Sequence, residues 1–187
     1  MLNNELKNQI SEDFKRLSES NSMTSYIKFL LMNSSFKITF WFRVGSYLKK
    51  KHNIFFRILY PIVFLIHKHN QNLTGIQIAL GTDIGKGLAF GHFSCIVIDS
   101  DAKIGDCCSI FQGVTVGSVR GKGTPIIGNN VVLGPGSKIL GDIKIGNNVF
   151  VGANAVVVKD IPDNAVVGGI PAKIINMNGL KTTQLNM

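Results

Sequence analysis

One histidine, His92, stands where the surrounding pattern asks for a small or polar residue, in the segment GHFSCIV. A neutral imidazole titrates near pH 7, so it suits the removal of a proton from a hydroxyl under physiological conditions. From position alone the residue serves equally well as a structural histidine in a tight turn. His52, His67 and His69 fall in a basic, apolar stretch and read as surface or lipid-facing groups. A catalytic metal needs about three protein ligands and an open position. The region around His92 offers one ligand, so metal chemistry is set aside. Cys95, Cys107 and Cys108 show no Cys-x-x-Cys or Cys/His spacing, and an odd count forms no disulfide framework. They read as reduced, small, partly buried residues.

His92 belongs to a run with a six-residue period from Ile78 to Val157. An aliphatic residue opens each hexad, usually followed by Gly and two small or polar residues: IALGTD, IGKGLA, IDSDAK, IGDCCS, IGNNVV, LGPGSK, IGNNVF, VGANAV. A period of six suits neither an α-helix nor a simple alternating strand. It predicts a parallel β-helix whose coils bury their aliphatic rows against one another. Two interruptions break the run. One is a two-residue surplus around GHFSCIV. The other is the loop SVRGKGTP, Ser118 to Pro125, which leaves one coil and rejoins it at Ile126-Ile127. Insertions in a solenoid map to loops on one face and tend to carry function. The repeat closes at KDIPDNAVVGGIPAKII, where the chain turns off the coil axis.

Residues 1 to about 23 are polar and read as a frayed helix or mobile arm, with Ser22 or Thr24 able to cap a helix starting near Ser25. From Ile27 to His69 the pattern is aromatic, aliphatic and basic, predicting two or three helices with a break near His52-Asn53 and a kink or stop at Pro61. Three segments follow: 1–73 helical and basic, 74–176 β-helix, 177–187 a polar tail. The formal net charge is +9, and no acidic residue lies between Glu19 and Asp83. The helical part is therefore expected to cap the end of the β-helix, to face an anionic surface, or to do both, since the two are compatible. Ile54 to Ile66 is too short for a span of roughly 20 apolar residues and holds Arg57 and Pro61. The aromatics lie in apolar runs rather than on a stacking platform, so nucleic acid is not an expected partner. The first twenty residues lack the apolar core of a secretory signal, so the expected compartment is a bacterial-type cytoplasm.

The segments IGKGLAFGHFSCIVIDSDAKIG, IFQGVTVG, PIIGNNVVLGPGSKILGDIKIG and VGANAVVVKDIP with GGIPAKII resemble the hexapeptide-repeat acyltransferases. Within them the chain is similar to the serine acetyltransferase-like branch, most of all to the colanic-acid and capsular-polysaccharide O-acetyltransferases. The resemblance covers roughly residues 74 to 176. It implies a left-handed parallel β-helix, a homotrimer, and acetyl-CoA bound between adjacent subunits. It implies that His92 is the general base for direct attack of an acceptor hydroxyl on the thioester, with the loop Ser118 to Pro125 helping to wall the site. Gly117, Gly134 and Ala153 match places where the family's coils approach the pantetheine arm. Lys159 and Lys173 match a basic end near the nucleotide phosphates. No metal is implied.

Three departures from serine acetyltransferase direct the expectation elsewhere. The acid that enzyme places fifteen residues before the histidine is Gln77 here, and the acid immediately before it is Gly91. The loop is short and ends Gly123-Thr124-Pro125 instead of with an Arg-His pair. Beyond these three, the large helical N-terminal domain of those enzymes is also missing. A zwitterionic acceptor needs a charged partner at each end. The expected acceptor is therefore a saccharide hydroxyl in surface polysaccharide synthesis, with the helical part resting on the inner membrane face. L-serine is the alternative acceptor, and a non-catalytic trimeric scaffold is the reading from another class. Without the acid, Gln77, a backbone carbonyl or a residue of a neighbouring subunit is left to orient His92.

Overall fold

The computed structural model describes residues 4–20, 22–51, 53–179 and 181. His52 and most of the polar tail lie outside the described residues. Among the described residues four helices precede the β-helix: α1 Asn4–Lys15, α2 Met23–Met32, α3 Ser34–Lys49 and α4 Ile54–Thr74. Short polar side chains set their starts. Ser22, Asn33 and Asn53 cap α2, α3 and α4 by accepting from the backbone N–H of Ser25, Phe36 and Phe55. Gly75, in the left-handed region at φ 68°, ends α4 with its N–H on the Gln71 carbonyl.

The frayed arm expected at the N-terminus is a packed helix instead. Leu6, Ile10 and Phe14 recur at helical spacing and are buried. Phe14 sits 5.2 Å from the rings of both Tyr26 and Phe36, which ties α1 to α2 and α3. Arg16, just past α1, donates to the Cys107 carbonyl at 3.0 Å and to Ser109 Oγ at 2.7 Å. Pro61 also differs from expectation, since α4 runs through it. Only the Arg57 carbonyl loses its helical donor there. The buried face of α4, Val63, His67, Asn70 and Thr74, packs against α3 and the first strand and holds the helix together.

The β-helix has three parallel faces. One holds β1 Ile76–Ile78, β4 Ile96–Ile98, β7 Thr115–Gly117, β10 Lys138–Leu140 and β13 Val156–Val157. The second holds β2 Asp83–Ile84, β5 Lys103–Ile104, β8 Ile126–Ile127 and β11 Lys144–Ile145. The third holds β3 Ala89–Phe90, β6 Ser109–Ile110, β9 Val132–Leu133, β12 Phe150–Val151, β14 Val166–Gly168 and β15 Lys173–Asn176. All pair in parallel except β15, which turns back antiparallel on β14. Each inward aliphatic residue stacks on its equivalent one coil along, as in Ile84, Ile104, Ile127 and Ile145. Fully burying such a side chain contributes roughly 1.5–3 kcal/mol.

The register locates both interruptions. Val97 pairs with Thr115 and Lys138 with Val156, a step of 18 residues, which is three hexads. Ile76 pairs with Ile96, a step of 20, and Thr115 with Lys138, a step of 23. The two extra residues lie between β3 and β4. The five extra residues lie between β7 and β8. Corners of the plain coils use Asn in the left-handed region, as at Asn130, Asn148 and Asn164. Their amides also form a ladder, Asn130 to Asn148 at 3.2 Å and Asn148 to Asn164 at 3.0 Å.

Candidate functional site

The corner between the third and first faces carries His92. The two extra residues of its coil bulge outward, with Ser94 at φ 130° and Cys95 at φ 52°. Close packing pins the base of this bulge. The Ser94 carbonyl accepts from Gly113 N–H at 3.0 Å, and a Cβ on Gly75 would stand 3.0 Å from Cys95 N. The outcome is an exposed imidazole on a fixed backbone. Phe93 and Cys95 beside it are also exposed, so Cys95 departs from the partly buried reading. Cys107 is partly buried, as that reading has it, whereas Cys108 is fully buried, and burial pushes its thiol up to about 12.

The strand register defines the surroundings of His92. Phe90, Ile110, Leu133 and Val151 are paired successively along the third face. One residue on, Gly91, Phe111, Gly134 and Gly152 form a column. The next column is His92, Gln112, Pro135 and Ala153, with successive members about 4.8 Å apart along the axis. The Phe111 ring lies 6.5 Å from the imidazole. It also occupies the space in front of Gly91, where an added Cβ would meet it at 2.5 Å. Gln112 Oε1 is buried without a hydrogen-bond partner. Phe111 and Gln112 escaped the sequence reading because only the coil register sets them beside His92.

The expected cofactor residues divide into groups. Gly134 and Ala153 share the corner with His92. Gly117 ends β7 and Lys159 follows β13, at the opposite edge of the first face. The loop Ser118 to Pro125 leaves from that far edge, braced by Thr124 Oγ1 on the Asp101 carbonyl at 2.9 Å. Lys173 lies on β15, at the closing end, and is exposed. The two glycines differ in kind. A Cβ on Gly134 would strike the Val151 carbonyl at 2.5 Å, so coil packing alone requires glycine there. A Cβ on Gly117 would meet nothing within 4 Å, although the residue is buried. Its open side is room beside the backbone.

Within one protomer His92 hydrogen-bonds neither Gln77 nor a backbone carbonyl among the described residues. Gln77 lies on the outer side of β1. No group of three His, Cys, Asp or Glu side chains among the described residues could hold a metal ion.

Comparison with known proteins agrees with this geometry. Residues 124–159 match the family model described as bacterial transferase hexapeptide (six repeats). The serine acetyltransferase of Staphylococcus aureus (strain Mu50) is 40% identical over 133 residues, 70% of this chain and 62% of that protein. The soybean serine acetyltransferase apoenzyme superposes with a TM-score of 0.77 at 31% identity, covering 92% of this chain and 70% of that one. Its serine complex gives 0.78 at 30% identity. A serine acetyltransferase in complex with CoA gives 0.75 at 26% identity, covering 92% and 71%. The chain spans 53% to 62% of the length of the curated relatives it matches.

These findings correct the expected acceptor. The relatives are serine acetyltransferases by name, and one was solved with serine, so the saccharide hydroxyl and the polysaccharide branch are set aside. Gly91 lacks a carboxylate because Phe111 fills its side-chain space, so that position reports packing before it reports the acceptor. The helical part likewise falls within the matched 92%, so it is shared in part with those enzymes. The hexad register, the matching family model and a relative of 31% identity covered over 70% of its length converge: the chain belongs to the hexapeptide-repeat acyltransferases.

Proposed function

We propose that this protein is an O-acetyltransferase that moves the acetyl group of acetyl-CoA to the hydroxyl of L-serine, with His92 as general base. The observation that carries this reading is the exposed imidazole at the interrupted corner, on a frame matching the serine-bound soybean enzyme at a TM-score of 0.78. His92 takes the hydroxyl proton as that oxygen attacks the thioester carbonyl. The tetrahedral intermediate then collapses, the C–S bond breaks, and the departing sulfur takes the proton back from the imidazolium. The products are the O-acetyl ester and free CoA, with no acyl-enzyme.

Gly117, Gly134 and Ala153 are proposed to border the pantetheine arm, and Lys159 and Lys173 to meet the phosphates. In one protomer these residues occupy two different corners and the closing end. A homotrimer supports their joint use, because a neighbour's far edge would bring its Gly117, Lys159 and loop toward His92. A neighbour would also supply the missing orienter of the imidazole. We place the reaction in the cytoplasm, with the helical region as the part available to the inner membrane face.

The test is CoA release from acetyl-CoA with L-serine as sole acceptor. His92→Ala should lower kcat about 10²–10⁴-fold, the usual contribution of a general base. Cys95→Ser should retain turnover, because the transfer is direct. No release with serine from protein that binds acetyl-CoA would overturn the acceptor. Loss of activity in Cys95→Ser would overturn direct transfer.

A further inference from the structure

The outward face of α4 is mostly apolar, and none of the described residues covers it. Ile54, Phe55, Ile58, Ile62, Leu65 and Leu73 are each more than half exposed. At about 100° per residue these six fall within one arc, opposite the buried Val63, His67, Asn70 and Thr74. Arg57 and Lys68, both exposed, project along one border of that arc. The helix thus presents an apolar ridge about 18 Å long from Ile54 to Leu65, with a cationic edge, and His69 and Asn72 interrupt the same face before Leu73. It is not a membrane span. Among the described residues no helix is long and apolar enough to cross a bilayer.

Charge decides between the candidate occupants. The sequence from Ser20 to Thr82, which contains α2, α3 and α4, holds no Asp or Glu. A second copy pairing symmetrically through this face would bring cationic edges together without an acid to neutralise either. An anionic lipid surface neutralises them and buries the isoleucines and leucines at the depth of the headgroup boundary, which is how an in-plane amphipathic helix binds. We propose that the outward face of α4 docks the protein on an anionic membrane surface, lying in the interface with Arg57 and Lys68 toward lipid headgroups. This docking does not rest on which acceptor is acetylated.

Co-sedimentation of the full chain with phosphatidylcholine vesicles, with and without phosphatidylglycerol, tests it. The protein should sediment with the anionic vesicles and stay in solution with the neutral ones. Ile58→Ser/Leu65→Ser and Arg57→Glu/Lys68→Glu should each lower the partition at least about tenfold. Both pairs are exposed, so the variants should keep the parent's circular dichroism and melting temperature. Equal binding to neutral vesicles, or unchanged partition in either variant, would overturn the proposal. A lower particle mass for Ile58→Ser/Leu65→Ser by light scattering, with vesicle binding unchanged, would instead assign the face to contacts between copies.

Discussion

Arg43 and Asp13 form a buried, two-point ion pair that joins three parts of the molecule. Arg43 Nε donates to Asp13 Oδ2 at 2.8 Å and Nη2 donates to Oδ1 at 3.1 Å. The rest of the guanidinium reaches the first coil, with Nη1 on the Ile84 carbonyl at 2.6 Å and Nη2 also on the Gly85 carbonyl. Asp13 Oδ1 accepts from Leu88 N–H at 2.8 Å. Residues from α1, α3 and the β-helix thus meet at one fully hydrogen-bonded charge pair. Both side chains are at most 3% exposed.

Removing either partner leaves the other charge buried and alone. Arg43→Ala or Asp13→Ala should therefore destabilise the protein by about 3–5 kcal/mol. Urea unfolding would measure it, and hydrogen exchange should show α1 losing protection first. A loss under about 1 kcal/mol, the range of an exposed pair, would show that the pair does not pin α1.

The same pair marks how far the sequence could be read. The β-helix was legible because each hexad devotes one aliphatic position to the interior, and the steps of 20 and 23 residues follow from counting between Ile76, Ile96, Thr115 and Lys138. Helix α1 was not. Its sequence is mostly polar, with Leu6, Ile10 and Phe14 as its apolar stripe, and part of what holds it is an arginine 30 residues away. Pro61 misled for a related reason, since tertiary packing of α4 outweighs one lost hydrogen bond. At the site, His92 stood out as an exception to a repeat. The meaning of Gly91 depended on Phe111, which lies 20 residues later and one coil above.

Buried His67 makes stability depend on pH. Its Nε2 lies 2.9 Å from both the Ile78 carbonyl and the Gln71 side-chain amide, and Nδ1 has no partner. Burial holds the imidazole below its ordinary pKa, helped by the Lys68 charge and opposed by the Ile78 hydrogen bond. The unfolded chain therefore binds a proton near pH 6.5 that the folded chain refuses until lower pH. The contribution is fully present above about pH 6.5 and is lost as pH falls from there toward the depressed folded value. Between those values, stability should fall by up to about 1.4 kcal/mol per pH unit. His67→Gln keeps a donor for the Ile78 carbonyl and should flatten that part of the profile. An identical slope in the variant would assign the dependence to another group.

Gly91 and Phe111 should behave as a coupled pair. Gly91→Ala places a methyl 2.5 Å from the Phe111 ring. The ring must shift, and the backbone carrying His92 shifts with it. The single substitution should destabilise by about 1–3 kcal/mol, the range for overpacking, and reduce turnover. Phe111→Leu removes the ring, so the double variant should recover part of the loss, giving a coupling of at least about 0.5 kcal/mol in a double-mutant cycle. Additive effects would show that the ring does not set the position of His92.

Gly117 and Gly134 separate cofactor contact from repeat geometry. Gly134→Ala drives a methyl against the Val151 carbonyl, a backbone atom that cannot rotate away, so its cost should be stability. Gly117→Ala meets no atom within 4 Å, and the glycine has no positive φ to protect. That protein should fold with its melting temperature close to the parent's. If the pantetheine arm runs beside Gly117, the added methyl should raise KM for acetyl-CoA about tenfold, while leaving KM for serine near the parent value. The expected pattern is a thermal shift for Gly134→Ala and a cofactor-specific KM change for Gly117→Ala. An unchanged acetyl-CoA KM in a well-folded Gly117→Ala protein would remove Gly117 from the cofactor site and leave its open side without a ligand.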